Sequence, residues 1–245
     1  MIRRAIKLVL FASALSVGGL LALATTVRET VEGSGISATE ERDIGNVNEV
    51  VLSGVGDLTI VPGAMPALSV TADDNILPAL ETNASGGKLH IGTRSLTSIH
   101  PKTKIHYTLT VPQLNSITVS GAGTVKTQRL EADDLKLKLS GAGKVQLDNL
   151  KCKSLAITLS GSGIANLSGS AEQFKLRLSG AGKIDAVKLQ TNSADVRISG
   201  AGQAAIWSTD ELKARISGAG NVKYRGQPQH IEQKVSGSGH IRALE

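Results

Sequence analysis

The feature that most constrains this chain is a tetrapeptide, Ser-Gly-(Ala or Ser)-Gly, that occurs seven times in its C-terminal part. Successive copies are 20, 20, 19, 20, 18 and 19 residues apart. A fixed period near 20 residues is typical of solenoid proteins, in which one small unit stacks on the next. The copies begin at Ser120, Ser140, Ser160, Ser179, Ser199, Ser217 and Ser236.

Apolar residues alternate with polar residues on both sides of each tetrapeptide. Leu135, Leu137 and Leu139 precede one copy, and Val145 and Leu147 follow it. Side chains alternate between the two faces of a β-strand, so this pattern places all of the apolar residues on one interior face. Each unit is therefore predicted to be a strand, a glycine-containing bend, a second strand and a looser return.

The glycines of the bend have a steric explanation. The chain must leave the β region twice within four residues, and glycine reaches positive φ without a steric cost. Stacking also brings the backbone of one bend over the next, where only small residues fit. We therefore expect Gly141, Gly161 and Gly180 to occupy stacked bends, with the serine hydroxyls in a column beside them.

The predicted fold class is all-β: a single-stranded parallel β-helix (solenoid) of about seven to eight rungs. One domain is assigned to residues 43–245, with regular repeats over 113–245 and an irregular, short-stranded β segment over 43–112 near the N-terminus. Within that segment Ser53-Gly54-Val55-Gly56 is an imperfect copy of the repeat, and residues 105–111 alternate as a half-buried strand does. Residues 75–80 suit one short helical turn. Because aromatic residues make up 2% of the chain, the core must be aliphatic.

The first 24 residues have the order of an export signal. Arg3, Arg4 and Lys7 precede an apolar run over residues 8–23, and Ala22-Leu23-Ala24 is a small-residue cleavage site. An uncleaved anchor is the alternative, since residues 6–24 are just long enough to span a bilayer. Polar residues 25–42 are predicted to be a flexible spacer. Cleavage would lower the formal net charge from +6 to +3, which is 24 basic minus 21 acidic residues.

Several site chemistries do not fit the repeats. Gly141-Ala142-Gly143-Lys144 lacks the first glycine and the final Ser or Thr of a P-loop. The aspartate of calcium-binding β-rolls is replaced by apolar residues such as Val125. Nucleic-acid binding is not expected, because rings for base stacking are missing and the basic residues look scattered over outward strand positions. Those residues include Lys136, Lys138, Lys144, Lys175, Arg177, Lys183 and Arg197.

Catalytic and metal sites are not assigned either. Paired carboxylates could perform acid–base chemistry on a polysaccharide, but the acids form no ladder at the repeat spacing. Asp195, for instance, is expected to face Lys175 and Arg215 one period away. Each repeat serine lacks a nearby histidine, and Cys152, the only cysteine, cannot form an internal disulfide. The remaining candidates are Asp133, Asp134, Asp148, Asp185 and Asp210, the histidines 90, 100, 106, 230 and 240, and Trp207 with Tyr224 as a weak sugar platform.

Three stretches resemble one bacterial family. They are Val111-Pro112-Gln113-Leu114 leading into residues 117–123, the segment Val70-Thr71-Ala72-Asp73-Asp74-Asn75, and Gly87-Lys88-Leu89-His90-Ile91. Together they resemble the head GIN domain family of auto-transporter adhesins over about residues 43–242. The resemblance implies an exported, β-helical, non-catalytic envelope protein, and it supplies no active-site residue.

We therefore expect a protein that is not an enzyme, exported to the periplasm or cell surface, and acting as a binding or adhesion module of the bacterial cell envelope. Its partner is an unidentified envelope or surface ligand, either protein or polysaccharide. Nucleic acid is not expected, and membrane contact is expected only through an uncleaved signal. No cofactor is implied. A β-helix enzyme acting on polysaccharide and a purely structural envelope scaffold remain alternatives; a deep pocket with converging carboxylates would favour the enzyme.

Overall fold

The computed structural model describes residues 29–244, and the predicted signal peptide, residues 1–24, lies outside them. The N-terminal part contains β1 (Glu29–Glu32), β2 (Ser37–Arg42), β3 (Glu49–Gly54), β4 (Asp57–Pro62), β5 (Ala67–Asp73), β6 (Leu80–Ser85), β7 (Lys88–Thr93), β8 (Thr97–His100) and β9 (His106–Val111). A short 3-10 helix, Leu77–Ala79, lies where a helical turn was predicted.

The repeat region contains ten further strands. They are β10 (Ser116–Gly121), β11 (Thr124–Thr127), β12 (Leu130–Gly141), β13 (Lys144–Gly161), β14 (Ile164–Gly180), β15 (Lys183–Gly200), β16 (Gln203–Gly218), β17 (Asn221–Arg225), β18 (His230–Ser236) and β19 (His240–Ala243). β13 to β16 are 16 to 18 residues long because each runs from one bend, through the return, to the next bend.

These strands stack in parallel, with each tetrapeptide over the one before it. Ser140 pairs with Ser160, and Gly141 with Gly161, in the register of β12 and β13. The same register continues through β14, β15 and β16 to β18. The predicted parallel solenoid is therefore confirmed. It has about six turns, slightly fewer than the seven to eight rungs predicted, because the seven tetrapeptides enclose six complete turns.

The repeats differ in length, and the returns absorb the difference. Register shifts occur between Leu147 and Leu150, between Asn166 and Ser168, and after Ala186. No such shift interrupts the pairing from five residues before the serine through the bend in these strands. The face formed by the strands before the bends is consequently the most regular surface of the molecule.

The imperfect copy near the N-terminus is a rung of the same stack. β3 pairs in parallel with β10, so that Ser53 lies beside Ser120 and Gly54 beside Gly121. β4 pairs with β11 in the same way. The intervening residues 63–115 therefore leave the stack and return to it.

Those intervening residues close one end of the solenoid. β7 and β9 pair in parallel with β3 and β4, while β5 pairs antiparallel with both β9 and β2, and β6 forms a hairpin with β7. β1 pairs in parallel with β8 in a separate two-stranded sheet. The prediction of a flexible spacer was therefore wrong for residues 29–42: these polar residues are held by backbone pairing to β5 and β8 rather than by apolar burial.

The core is aliphatic, as the composition predicted. It consists mainly of Leu, Ile, Val and Ala from the inward positions of successive rungs. Tyr107 and Phe174 are the aromatic residues among the largest fully buried side chains. Each inward Leu or Ile contributes about 1.5–3 kcal/mol by its burial, so the stack is held together evenly along its length.

Candidate binding face

The two glycines of each tetrapeptide are required for different reasons. The first has positive φ, and a Cβ added to Gly180, at φ 128°, would lie 2.5 Å from the carbonyl oxygen of Gly161. The second does not have positive φ. A Cβ on Gly143 would instead lie 2.6 Å from Cγ1 of Val119 in the previous rung. The expectation of stacked bends is confirmed, but only one departure from the β region per bend needs glycine's conformational freedom.

Backbone hydrogen bonds lock the stacked bends together. The amide of Ala142 donates to the carbonyl of Gly121, and that of Lys144 donates to Gly123, both at 3.0 Å. Equivalent bonds recur at later rungs. Since the backbone polar groups of the bends are paired with each other, the side chains that precede the bends are held at a fixed repeat and point to solvent.

Basic side chains form a line on the face that precedes the bends. Arg177 pairs with Arg197, Arg197 with Arg215, and Arg215 with Lys234 in successive registers. We call these four residues the cationic column. Neighbouring strands lie about 4.8 Å apart, so the column presents one positive group per rung.

A second line of side chains lies two residues further along each strand. Ser179, Ser199, Ser217 and Ser236 occupy equivalent register positions and are exposed. We call them the serine column. The expected stacking of serines is confirmed, but no hydrogen bond joins these hydroxyls to one another or to other groups among residues 29–244. Their donors and acceptors therefore face solvent.

A shallow groove of about 460 Å³ runs between the two columns and is lined by residues of both. Its floor is the backbone around Leu178, Ile198 and Ile216, whose side chains point into the core and are each 2% exposed. We call it the column groove. It is a long surface depression and not a deep pocket.

Two acids neutralise part of the cationic column. Asp195 contacts Arg197 at 3.0 Å, and Glu232 contacts Arg215 at 2.6 Å. The cross-rung partners of Asp195 are Lys175 and Lys213. The prediction that Asp195 faces Arg215 was wrong. The repeat from Ser199 to Ser217 is 18 residues long, and the register follows the serines.

The cationic column was missed when the basic residues were judged scattered. The signal was in the sequence: the residue two positions before the serine is Thr118, Lys138, Thr158, Arg177, Arg197, Arg215 and Lys234 in the seven copies. Aligning the copies on their serines puts these side chains in one line, whereas their spacing along the chain does not reveal it.

The candidate acids are held by separate local contacts. Asp133 forms an ion pair with Lys153 at 3.0 Å, and Asp148 accepts a hydrogen bond from Gln146 at 2.6 Å. Asp185 lies near the amide of Val187, and Asp210 accepts from Thr209. In the described part of the chain these carboxylates do not converge on a common cleft.

The histidines and the aromatic candidates have similarly local roles. His100 contacts Glu32 at 2.8 Å, and His106 lies 3.4 Å from the hydroxyl of Thr59. No group of three or more His, Cys, Asp or Glu side chains within residues 29–244 could hold a metal ion. The ring of Trp207 is covered by Arg225, whose guanidinium lies 4.3 Å from the ring centroid, so one face of this candidate sugar platform is occupied.

A buried carboxylate explains the segment Asp73-Asp74-Asn75. Asp73 is fully buried and accepts hydrogen bonds from the amides of Gly35, Lys102 and Thr103. Burial acts to raise the pKa of Asp73, but these hydrogen bonds outweigh it and leave the pKa below its usual value. Asn75 adds a bond to the carbonyl of Glu32. The segment ties residues 32–35 and 102–103 to the solenoid end and is structural.

Comparisons with known proteins agree with this fold. The family model described as "Putative auto-transporter adhesin, head GIN domain" matches residues 46–228. No curated protein shows a significant match. Among residues 29–244, no helix has the length and apolar character needed to cross a membrane.

Solved structures of similar fold come from Bacteroides and Parabacteroides species. A "putative adhesin" from Bacteroides fragilis is 24% identical with a TM-score of 0.81, covering 87% of this chain and 100% of its own. A "putative adhesin" from Parabacteroides merdae is 26% identical with a TM-score of 0.72, covering 88% and 99%. A "putative lipid binding protein" from Parabacteroides distasonis is 22% identical with a TM-score of 0.75, covering 88% and 100%.

Proposed function

The chain belongs to the head GIN domain family of auto-transporter adhesins, and we propose that it is an exported, non-catalytic binding module of the bacterial cell envelope. In this proposal the module acts in the periplasm or at the cell surface and holds an envelope or surface ligand. Membership in an adhesin family and the similar fold of the "putative adhesin" from Parabacteroides merdae support the binding role.

The observation that carries the proposal is the regularity of the face before the bends. It presents the same two outward positions on successive rungs, filled by basic side chains and by serines with free hydroxyls. Such a repeated surface suits many weak contacts with an extended ligand. A glycoside hydrolase would instead need two carboxyl groups about 5–10 Å apart that flank the scissile bond. The candidate acids Asp133, Asp148 and Asp195 contact Lys153, Gln146 and Arg197 instead.

Cosedimentation with isolated bacterial envelopes tests this function. Purified protein is mixed with envelope fragments over a range of concentrations, and the pelleted fraction is measured. We expect saturable binding that is lost when the protein is thermally unfolded before mixing. The supernatant is assayed in parallel for released reducing sugar ends. Non-saturable pelleting would contradict the binding role, and steady release of reducing ends would favour the polysaccharide-degrading alternative.

A further inference from the structure

We propose that the column groove binds an acidic polysaccharide whose chain lies along the stacking direction of the solenoid. This proposal rests on the binding function above and gives the chemistry of the ligand. The groove's volume of about 460 Å³ is within the range of ligand-binding clefts, and both of its walls repeat once per rung. A ligand that follows the groove would meet the same two chemical groups several times.

The charge on the groove calls for an anionic ligand. Like charges opposite one another on neighbouring strands are destabilising, yet Arg177, Arg197, Arg215 and Lys234 follow in succession. Among the described residues of the chain, ion pairs reach Arg197 and Arg215 of the column. Within residues 29–244, no acidic group lies in ion-pair distance of Arg177 or Lys234. The groove therefore keeps two positive groups for anions that arrive from solution.

The two walls match the functional groups of an acidic sugar polymer. A guanidinium group donates two parallel hydrogen bonds to a carboxylate or sulfate. A serine hydroxyl both donates and accepts, which a sugar hydroxyl also does. Ser179 and Ser199 lie beside Arg177 and Arg197 on the same outward face. One wall can thus hold the anionic groups while the other holds the ring hydroxyls.

Other polyanions fit the groove less well. None of the described residues that line it is aromatic, so the bases of a single-stranded nucleic acid would have no ring to stack on there. Its apolar residues, such as Ile198, point into the core, so it offers no side chain for insertion into a lipid layer. An extended polysaccharide needs neither ring stacking nor insertion of an apolar side chain. Many equivalent weak contacts along its chain would add to its affinity.

Titration calorimetry with polygalacturonate tests the proposal, and fully methyl-esterified polygalacturonate supplies a matched ligand with neutral carboxyl groups. The test variant is Arg177→Gln with Lys234→Gln, which removes two charges and leaves both ion pairs of the column intact. The control is Lys144→Gln with Lys183→Gln, which removes two exposed charges from the face after the bends. Circular dichroism melting confirms that both variants fold.

We expect polygalacturonate to bind, its ester not to bind, and the affinity to fall as salt is added. The test variant should bind about tenfold more weakly or worse, and the control within about twofold of the parent. Equal loss in both variants, or equal binding of an oligothymidylate of matched charge, would mean unspecific attraction and would overturn the proposal. If both variants bind isolated envelopes as tightly as the parent does, the column groove is not the ligand site, while the proposed binding function stands.

Discussion

At the scale of single residues, the position of a glycine in the stack decides what its substitution costs. Gly54 and Gly180 are the first glycines of equivalent tetrapeptides, and both have positive φ, at 110° and 128°. A Cβ on Gly180 would meet the backbone of Gly161, whereas a Cβ on Gly54 would meet nothing within 4 Å. The two positions therefore separate the cost of the backbone conformation from the cost of crowding between rungs.

We expect Gly54→Ala to lower the free energy of unfolding by about 1–3 kcal/mol through its strained φ. Gly180→Ala should cost a further ~1–3 kcal/mol from crowding in a packed region. Urea denaturation of both variants and of the parent measures the difference. Equal midpoints for the two variants would remove crowding between bends as a reason for the glycines.

The single thiol gives a second prediction at this scale. Cys152 is 8% exposed, and burial, with a smaller contribution from the charge of Asp134, raises its pKa to about 11. Thiolate is the reactive form and is scarce at pH 8. We expect the folded protein to react very slowly with Ellman's reagent at pH 8, and the same protein in guanidinium chloride to release one equivalent quickly. Rapid labelling of the folded state would contradict the burial of this thiol.

At the scale of strands and loops, the Asp73 contacts predict a dependence on acid. The pKa of Asp73 lies below its ordinary value of 3.8, so its carboxylate stabilises the fold at neutral pH and loses that effect as the pH falls below about that value. Replacing it by Asn would leave one oxygen for the three amides and place an NH₂ donor opposite the amide of Gly35 or those of Lys102 and Thr103.

We expect Asp73→Asn to destabilise by about 1.5–3 kcal/mol at pH 7, and to flatten the decline in stability that the parent shows below about pH 4. Asp133→Asn, at an exposed ion pair, should cost under about 0.5 kcal/mol. Thermal melting between pH 3 and pH 7 provides both comparisons. A parent and an Asp73→Asn variant with parallel pH profiles would show that this carboxylate does not set the acid response.

The repeat region was predictable because its information is local. In β14 the alternation of buried and exposed residues follows the apolar pattern on either side of the serine, so strand, face and register could all be inferred. The end segment was less predictable. β2 and β5 pair through backbone groups although most of β2 is polar and exposed, and that pairing leaves no periodic signal in the sequence.

The candidate site lay between these two cases. The outward position of Arg177 and Arg197 follows from alternation, but their juxtaposition depends on how neighbouring copies align. Counting a constant 20 residues from Asp195 leads to Arg215, whereas the bends impose a register that leads to Lys213. The glycines of the bends fix the register. The cationic column can therefore be predicted from the sequence only when the repeats are aligned on their tetrapeptides.

At the scale of the whole molecule, the two ends of the solenoid differ. Residues 63–115 cover the end at β3 and β4, while the inward positions of β18 are open, with Ile231 46% exposed compared with 2% for Ile198. Ile198→Ala should therefore cost about 2–5 kcal/mol as a core cavity. Ile231→Ala should cost under about 1 kcal/mol, since the side chain of Ile231 is already largely open to solvent in the folded protein. Denaturation midpoints of the two variants measure the difference. An equal loss of stability for Ile231→Ala would contradict an open end at β18.

Export gives the last prediction, because the order of the first residues fits cleavage after Ala24. Such cleavage leaves the first strand intact, since β1 begins at Glu29. It also removes Arg3, Arg4 and Lys7. The formal net charge then falls from +6 to +3, which is 24 basic minus 21 acidic residues. We expect N-terminal sequencing of the protein from the periplasmic or surface fraction to begin at Thr25. An Ala22→Leu, Ala24→Leu variant should keep its N-terminus and stay with the membrane pellet, because bulky residues block the small-residue site. An intact Met1 in the parent's membrane fraction would establish an anchor instead, and the binding face would then work tethered to the bilayer.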